Sequence, residues 1–361
     1  MKISNLKIVH ILYAGLGGTF DVCNILGELD KKNKSLTSFV QVGPKRFAKH
    51  VSSSRQKTYF VKTYRFLSFF YFFPILRILL SEKPSLIFLH NFSIIPVIIY
   101  KLFYNNNIKF VYVDHVPNSL RGFKTYLICK LFKPTIDHII VLNKESYDYF
   151  LKTINLSSKK ISIIPNAINK EFIRKKNKIK NIKNSLVIGM AARMNDSKRH
   201  DLIIDAIHHP ILKNINVKVF FAGTGENINF LKKRVKNNKI FKFNGLLNSK
   251  KLKRWYMSID IYIQATNGEG HSTSILQAMG MNLPVMASNV SGIKKFLIPN
   301  KNIGIIFENN PRSLAIKIQD YNKLKKNKIL RLVRSQKEYV LSNYSEQIFL
   351  DAYSRVIKLI F

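Results

Sequence analysis

Acidic residues are scarce in this chain. Its 361 residues hold 20 Asp and Glu against 60 Lys and Arg, a formal net charge of +40, which points to an anionic partner. Cysteine is nearly missing too. Cys23 and Cys129 are the only two, too few for a disulfide scaffold or a four-cysteine metal site, so the expected compartment is the reducing cytoplasm. Clean apolar runs of membrane-spanning length are also lacking. Phe66 to Leu80 is broken by Pro74 and Arg77, and Leu86 to Tyr104 by His90, Asn91, Pro96 and Lys101, whereas a spanning helix needs about 20 apolar residues. The N-terminal apolar run ends in Gly15-Leu16-Gly17-Gly18 without a small-residue cleavage site, so a buried strand is expected there and not a signal peptide.

What is present is a core. Hydrophobic residues make up 46% of the chain and aromatics 12%, too much for a disordered basic tail, and the length suggests about two domains. Lys7–Tyr13, Ser85–Leu89, Lys109–Asp114, His138–Leu142 and Ile161–Pro165 read as short apolar strands separated by helical segments. That alternation implies a parallel sheet covered on both faces. The pattern restarts with Leu186–Met190, Lys218–Ala222, Ile240–Asn244, Ile259–Gln264 and Pro284–Ala287, with helices between them such as Asp201–His208. The expected domains are therefore 1–167 and 186–344, joined by a basic linker at 168–185. The apolar spacing over 345–361 predicts a packed C-terminal helix, which is expected to return to the first domain. From Lys31 to Ser81 there are eleven Lys or Arg and no acid. The aromatic run inside that window is expected to lie on an anionic membrane surface, with an ordinary core helix as the alternative.

Ligands of parallel sheets bind beyond the carboxyl ends of the strands, and four polar loops fall there. Gly15 to Thr19, with Gly17 and Gly18, follows the first strand and suits a close backbone approach to an anion. Arg193 and Lys198 follow Leu186–Met190, where a planar fork and a point charge could clamp a diphosphate. Gly223 and Gly225 form a third turn. The fourth loop, Gln264 to Gly280, carries Glu269, Gly270, His271, Ser272, Thr273 and Ser274 ahead of a helix whose N-terminal amides suit a diphosphate, with Gln277 deeper in that helix.

In order and spacing, these elements resemble the retaining GT-B glycosyltransferases of family 4, also called glycosyltransferase group 1. The resemblance is strongest over 161–300, through Ile163-Ile164-Pro165-Asn166-Ala167, Arg193 and Lys198, Gly223 and Gly225, and Asp260 to Val285. It implies two Rossmann-like domains facing across a cleft, and transfer of a sugar from a nucleotide donor, here expected to be a UDP-sugar, with retention at the anomeric carbon. Arg193 and Lys198 would then hold the donor diphosphate, Glu269 would contact the donor sugar, and the backbone from Gly270 to Ser274 would approach sugar and phosphates. Position 277, the second acid of the family's Glu-x7-Glu motif, would bind the ribose. Here it is Gln277, which keeps the hydrogen bonds but not the charge. Tyr112-Val113-Asp114-His115 resembles the family's strand-end histidine, so His115 would meet the transferring sugar or the acceptor.

No cofactor beyond the donor itself is expected. The lack of an Asp-x-Asp motif agrees with metal independence. The expected acceptor is a glycan or a lipid-linked glycan in surface polysaccharide, lipopolysaccharide or glycolipid synthesis, reached from the inner face of the membrane. Two alternatives are a nucleotide-sugar epimerase built on the same fold and a non-enzymatic polyanion or nucleic-acid binder. The aromatics lie in apolar runs without a recognition motif, so nucleic acid is not the expected partner.

Overall fold

Short apolar runs become the centres of two parallel sheets in the computed structural model, which describes residues 6–13, 18–32, 35–43, 56–62, 71–90, 94–175, 185–236, 238–297 and 303–361. The chain forms two units. Residues 1–166 and 346–361 make the first and residues 167–345 the second, so the C-terminal helix belongs with the N-terminal sheet.

The first unit carries β1 (Lys7–Tyr13), β2 (Leu36–Gly43), β3 (Gln56–Lys62), β4 (Leu86–His90), β5 (Lys109–Asp114), β6 (His138–Val141) and β7 (Ile161–Ile163). Its helices are α1 (Gly18–Lys32), α2 (Phe72–Glu82), α3 (Ile95–Phe103), α4 (Phe123–Leu131) and α5 (Lys144–Asp148). The second unit carries β8 (Leu186–Ala191), β9 (Val217–Ala222), β10 (Phe241–Phe243), β11 (Ile261–Gln264), β12 (Val285–Ser288) and β13 (Ile305–Phe307). Its helices are α6 (His200–Ile207), α7 (Ile228–Arg234), α8 (Ser249–Ser258), α9 (Thr273–Gly280), α10 (Lys294–Leu297), α11 (Pro311–Asn322) and α12 (Lys326–Asn343), and α13 (Glu346–Ile360) closes the chain.

Strand order is β3-β2-β1-β4-β5-β6-β7 in one sheet and β10-β9-β8-β11-β12-β13 in the other, and all pairings are parallel. Each sheet therefore grows first to one side of its first strand and then to the other. The crevice at that reversal is where such sheets take ligands; it falls between β1 and β4, and between β8 and β11. Central strands such as β4 and β8 are buried along their whole length, as expected of strands covered on both faces. In the second unit, Leu202, Ile203 and Leu314 pack one face and Tyr256, Leu276 and Val340 the other.

Three strands escape the apolar pattern. β2 (LTSFVQVG) buries Thr37, Ser38 and Gln41 beside Phe39 and Val40, so its polar letters hide a central strand. β3 is an edge strand tied to α2, since Glu82 accepts hydrogen bonds from Ser38 (2.8 Å), Lys57 (3.2 Å) and Tyr59. β13 has only three residues. The segment expected as a linker begins as part of the second unit: Phe172 is buried, and the Arg174 amide donates to the Gly280 carbonyl at 2.9 Å. A Cβ on Gly280 would sit 2.2 Å from Ile168 Cδ1 and 2.6 Å from the Phe172 carbonyl oxygen. Gly17, residues 176–184, and 63–70 of the expected membrane-surface run lie outside the described residues. No described helix is long and apolar enough to cross a membrane.

Several buried histidines make the fold acid-sensitive. Burial pushes His138 and His200 down to about 4 and His271 down to about 3, and holds His90 well below its ordinary value of 6.5. The unfolded chain binds a proton near pH 6.5 that the folded chain refuses, so their contribution is complete above that pH and is lost as the pH falls toward 4. Each histidine should remove up to about 1.4 kcal/mol per pH unit in that window. Urea unfolding at about pH 7.5 and about pH 5 should show a marked loss of stability at the lower value; equal stabilities would contradict this account.

Candidate functional site

The loops leaving β8 and β11 meet because their strands are neighbours, with Tyr262 registered against Gly189. Backbone bonds then fasten them: the Asn267 amide and the Thr266 hydroxyl both donate to the Ser197 carbonyl, at 2.9 and 3.0 Å. Across this junction Lys198 forms an ion pair with Glu269, and both side chains are largely buried. The same carboxylate oxygen accepts from Gln264 Nε2 at 3.0 Å, and the Tyr262 hydroxyl donates to Gln264 Oε1 at 2.6 Å. Glu269 is thus held by a chain reaching back into the sheet. Removing one member of such a buried pair strands the other charge at a cost of several kcal/mol.

Two glycines let backbone approach backbone around it. Gly292 has φ +79°, and a Cβ there would lie 1.8 Å from the Glu269 carbonyl oxygen; a Cβ on Gly223, at φ +127°, would lie 2.0 Å from that of Ala192. Arg193 occupies the same β8 loop, but its guanidinium meets Glu226 at 3.3 Å with both side chains half exposed. Exposed pairs of this kind contribute roughly 0–1 kcal/mol, so Arg193 can exchange its partner at little cost.

The helix start falls where the sequence places it. Ser272 caps α9, its hydroxyl accepting from the Ile275 amide at 3.4 Å, and the amides of Thr273 and Ser274 lie in the first turn, whose donors have no partner within a helix. The His271 ring is buried against Phe296 and Tyr344, at centroid distances of 4.9 and 4.7 Å, and the expectation for this residue concerns its backbone. Gln277 is buried in α9 and its Oε1 accepts from the Tyr256 hydroxyl at 3.1 Å. Tyr256, Tyr262 and Gln264 were not legible as site residues: a buried tyrosine reads as core until its hydroxyl's partner is seen.

In the first unit, β1, β4 and β5 line up three histidines. His10 Nδ1 lies 3.2 Å from His90 Nε2, and His90 Nδ1 lies 3.3 Å from His115 Nε2. Phe39 and Phe88 stack on the two faces of the His10 ring, at 5.1 and 5.0 Å, which leaves only its edge for polar contacts. Burial brings His115 down to about 4, so it is neutral near pH 7. A neutral His90 donates from one nitrogen and accepts at the other, so all donors along the row point the same way and the tautomer of His115 is tied to that of His10. Cys23 comes close as well: its sulfur and nitrogens of His10 and His90 lie within 4.8 Å of one another.

The loop carrying His115 is fixed from below by Arg121. Its guanidinium pairs with the buried Asp114 carboxylate, donates to the Val116 carbonyl (3.0 Å) and Ser146 Oγ (3.1 Å), and lies 4.5 Å from the Tyr149 ring centre. Burial raises the Asp114 carboxyl while Arg121 opposes that rise.

A family model described as Glycosyltransferase Family 4 matches residues 21–172, and one described as Glycosyl transferases group 1 matches residues 185–322. The chain belongs to this glycosyltransferase family. Among curated relatives, Protein CapJ of Staphylococcus aureus is 29% identical over 196 residues, covering 50% of each chain. The UDP-Gal:alpha-D-GlcNAc-diphosphoundecaprenol alpha-1,3-galactosyltransferase of Escherichia coli is 29% identical over 192 residues, covering 48% of this chain and 47% of its own. The chain spans about half the length of these relatives. The crystal structure of Anabaena HepE in complex with UDP and glucose superposes with a TM-score of 0.78 over 98% of this chain and 100% of HepE, at 14% identity. That likeness shows the fold, two Rossmann-like units of the GT-B kind.

The close approach at Gly292 can be separated from simple backbone strain. Gly245 also has positive φ (+64°) but open space where a Cβ would go, so Gly245→Ala should cost about 1–2 kcal/mol. Gly292→Ala should cost more, because the Glu269 backbone has to move. Equal losses in urea unfolding would show that the contact carries no energy.

Proposed function

We propose that this protein is a retaining glycosyltransferase that moves a hexosyl or N-acetylhexosaminyl group from a UDP-sugar to a glycan or lipid-linked acceptor. The observation that carries this reading is the junction of the β8 and β11 loops, where Lys198, Glu269 and the start of α9 converge at the strand-order reversal. The E. coli relative uses UDP-Gal and a diphosphoundecaprenol-linked acceptor by its name, and HepE was crystallised with UDP and glucose; both support a UDP donor, and the former a lipid-linked acceptor. The expected setting is surface polysaccharide or glycolipid synthesis at the cytoplasmic face of a membrane.

In the reaction, positive charge develops on the sugar while negative charge grows on the departing diphosphate. Lys198, Arg193 and the N-terminal amides of α9 stabilise that growing charge, as fixed donors do when they are aimed beforehand. Lys198 then exchanges Glu269 for phosphate, and the released carboxylate accepts from sugar hydroxyls. Gln277 offers its amide to the ribose, and neutral His115 hydrogen-bonds the sugar or acceptor. Cations and helix amides take the place a divalent metal would hold on the diphosphate, so turnover is metal-independent in this reading.

Turnover of a panel of UDP- and GDP-sugars, with and without chelator, tests the assignment. Arg193→Ala and Glu269→Gln should each lower kcat/KM at least about tenfold, the scale of one lost charge-assisted hydrogen bond. Gln277→Glu should lower KM for the nucleotide sugar, because a carboxylate accepts more strongly than an amide. Unchanged turnover in Arg193→Ala would sink the donor-site assignment, and loss of turnover with chelator would overturn metal independence.

A further inference from the structure

Helices α2, α3 and α4 of the first unit carry large apolar side chains that stay exposed. α2, α3 and α4 connect β3 to β4, β4 to β5 and β5 to β6, so all three cross the sheet in the same direction. Right-handed crossovers place them on one face, and they share one core: Ile75, Leu79, Val97, Ile98 and Cys129 pack together with Ile87 and Leu89. Large apolar side chains on these helices stay exposed. Phe103 is 77% exposed, Phe123 75%, Leu131 62%, Leu102 59%, Phe73 55% and Leu127 43%. Positions 123, 127 and 131 fall four apart, so they form one stripe along α4. Exposed large apolar residues scattered singly are ordinary, but a concentration on neighbouring helices marks a contact surface.

Charge selects the occupant. Between residues 71 and 135 only Glu82 and Asp114 are acidic. Asp114 is buried with Arg121, and Glu82, with its side chain 15% exposed, is engaged by Tyr59, Ser38 and Lys57. Among the described residues of these helices and their flanks, Arg77, Lys83 and Lys130 are exposed. Exposed aromatic and aliphatic side chains among exposed cations, with Glu82 and Asp114 engaged by their partners, match an anionic bilayer, which takes apolar groups into its acyl boundary and cations at its headgroups.

We propose that the α2–α3–α4 face docks on an anionic lipid bilayer, seating Phe103, Phe123 and the α4 stripe at the acyl boundary. This surface differs from the 66–80 run that the sequence alone suggests, since its apolar centre lies on the ends of α3 and on α4. It rests on the lipid-linked acceptor of the proposed function, which docking would bring within reach of the first unit.

The test is flotation of the full chain with vesicles of phosphatidylcholine alone and of phosphatidylcholine containing phosphatidylglycerol. Wild type should float with the anionic vesicles. Phe103→Ser/Phe123→Ser should weaken that binding at least about tenfold, and Arg77→Glu/Lys130→Glu should weaken it as well. All four positions are exposed, so circular dichroism should be unchanged. Thermal stabilisation by UDP on the same samples reports the donor site in the other unit, so a failed docking face and a failed donor site give different results. Failure of the wild type to float, or flotation of the serine variant like wild type, overturns the proposal; in the first case an acidic protein or another macromolecule would be the occupant.

Discussion

The pairing of β8 with β11 is the constraint on which the candidate site depends. Parallel neighbours must send their following loops out of the same end of the sheet. With Tyr262 held opposite Gly189, the residues after Ala191 and those after Gln264 have to share that end. Lys198 and Glu269, 71 positions apart in the chain, are brought into an ion pair as a consequence. The supporting bonds from Tyr262 through Gln264 anchor that pair to the sheet, so the loop carboxylate is placed by core residues and not by loop geometry alone. Gly292 and Gly223 permit the close approaches around it at positive φ.

The first unit uses the same device for different chemistry. Its reversal falls between β1 and β4, and the histidines on β1 and β4 lie in a row with the one that follows β5. Burial keeps the last of them neutral, and the Asp114–Arg121 pair beneath it fixes the turn on which it sits. Both constellations therefore follow from strand order. One presents cations and helix amides suited to a phosphate; the other presents an uncharged hydrogen-bonding ring.

The strands and the loops that matter were largely legible in the sequence, because a strand buried on both faces is a run of apolar letters. β1 and β5 span the expected residues, and Arg193, Lys198, Glu269 and Ser272 lie just beyond strand ends as expected. What was not legible depends on contacts between distant positions. β2 was not among the expected strands, since Thr37, Ser38 and Gln41 interrupt its apolar letters and nothing in the sequence tells that polar side chains are buried there. Tyr256, Tyr262, Gln264 and Arg121 were invisible because their roles rest on hydrogen bonds that only the fold brings about: Tyr256 and Gln264 reach Gln277 and Glu269, Tyr262 holds Gln264, and Arg121 holds Asp114 beside His115. The packing of the His271 ring against Phe296 and Tyr344 was equally hidden, although the expectation there concerned its backbone.

The central claim is that the Lys198–Glu269 junction binds the donor diphosphate. Calorimetric titration with UDP tests it most directly, comparing wild type with Lys198→Ala and with Lys198→Ala/Glu269→Gln, which removes the stranded charge along with its partner. Wild type should bind, and both variants should lose affinity by about ten- to a hundredfold, the scale of a hydrogen bond to a charged group. A folded double variant that binds UDP as tightly as wild type would contradict the account.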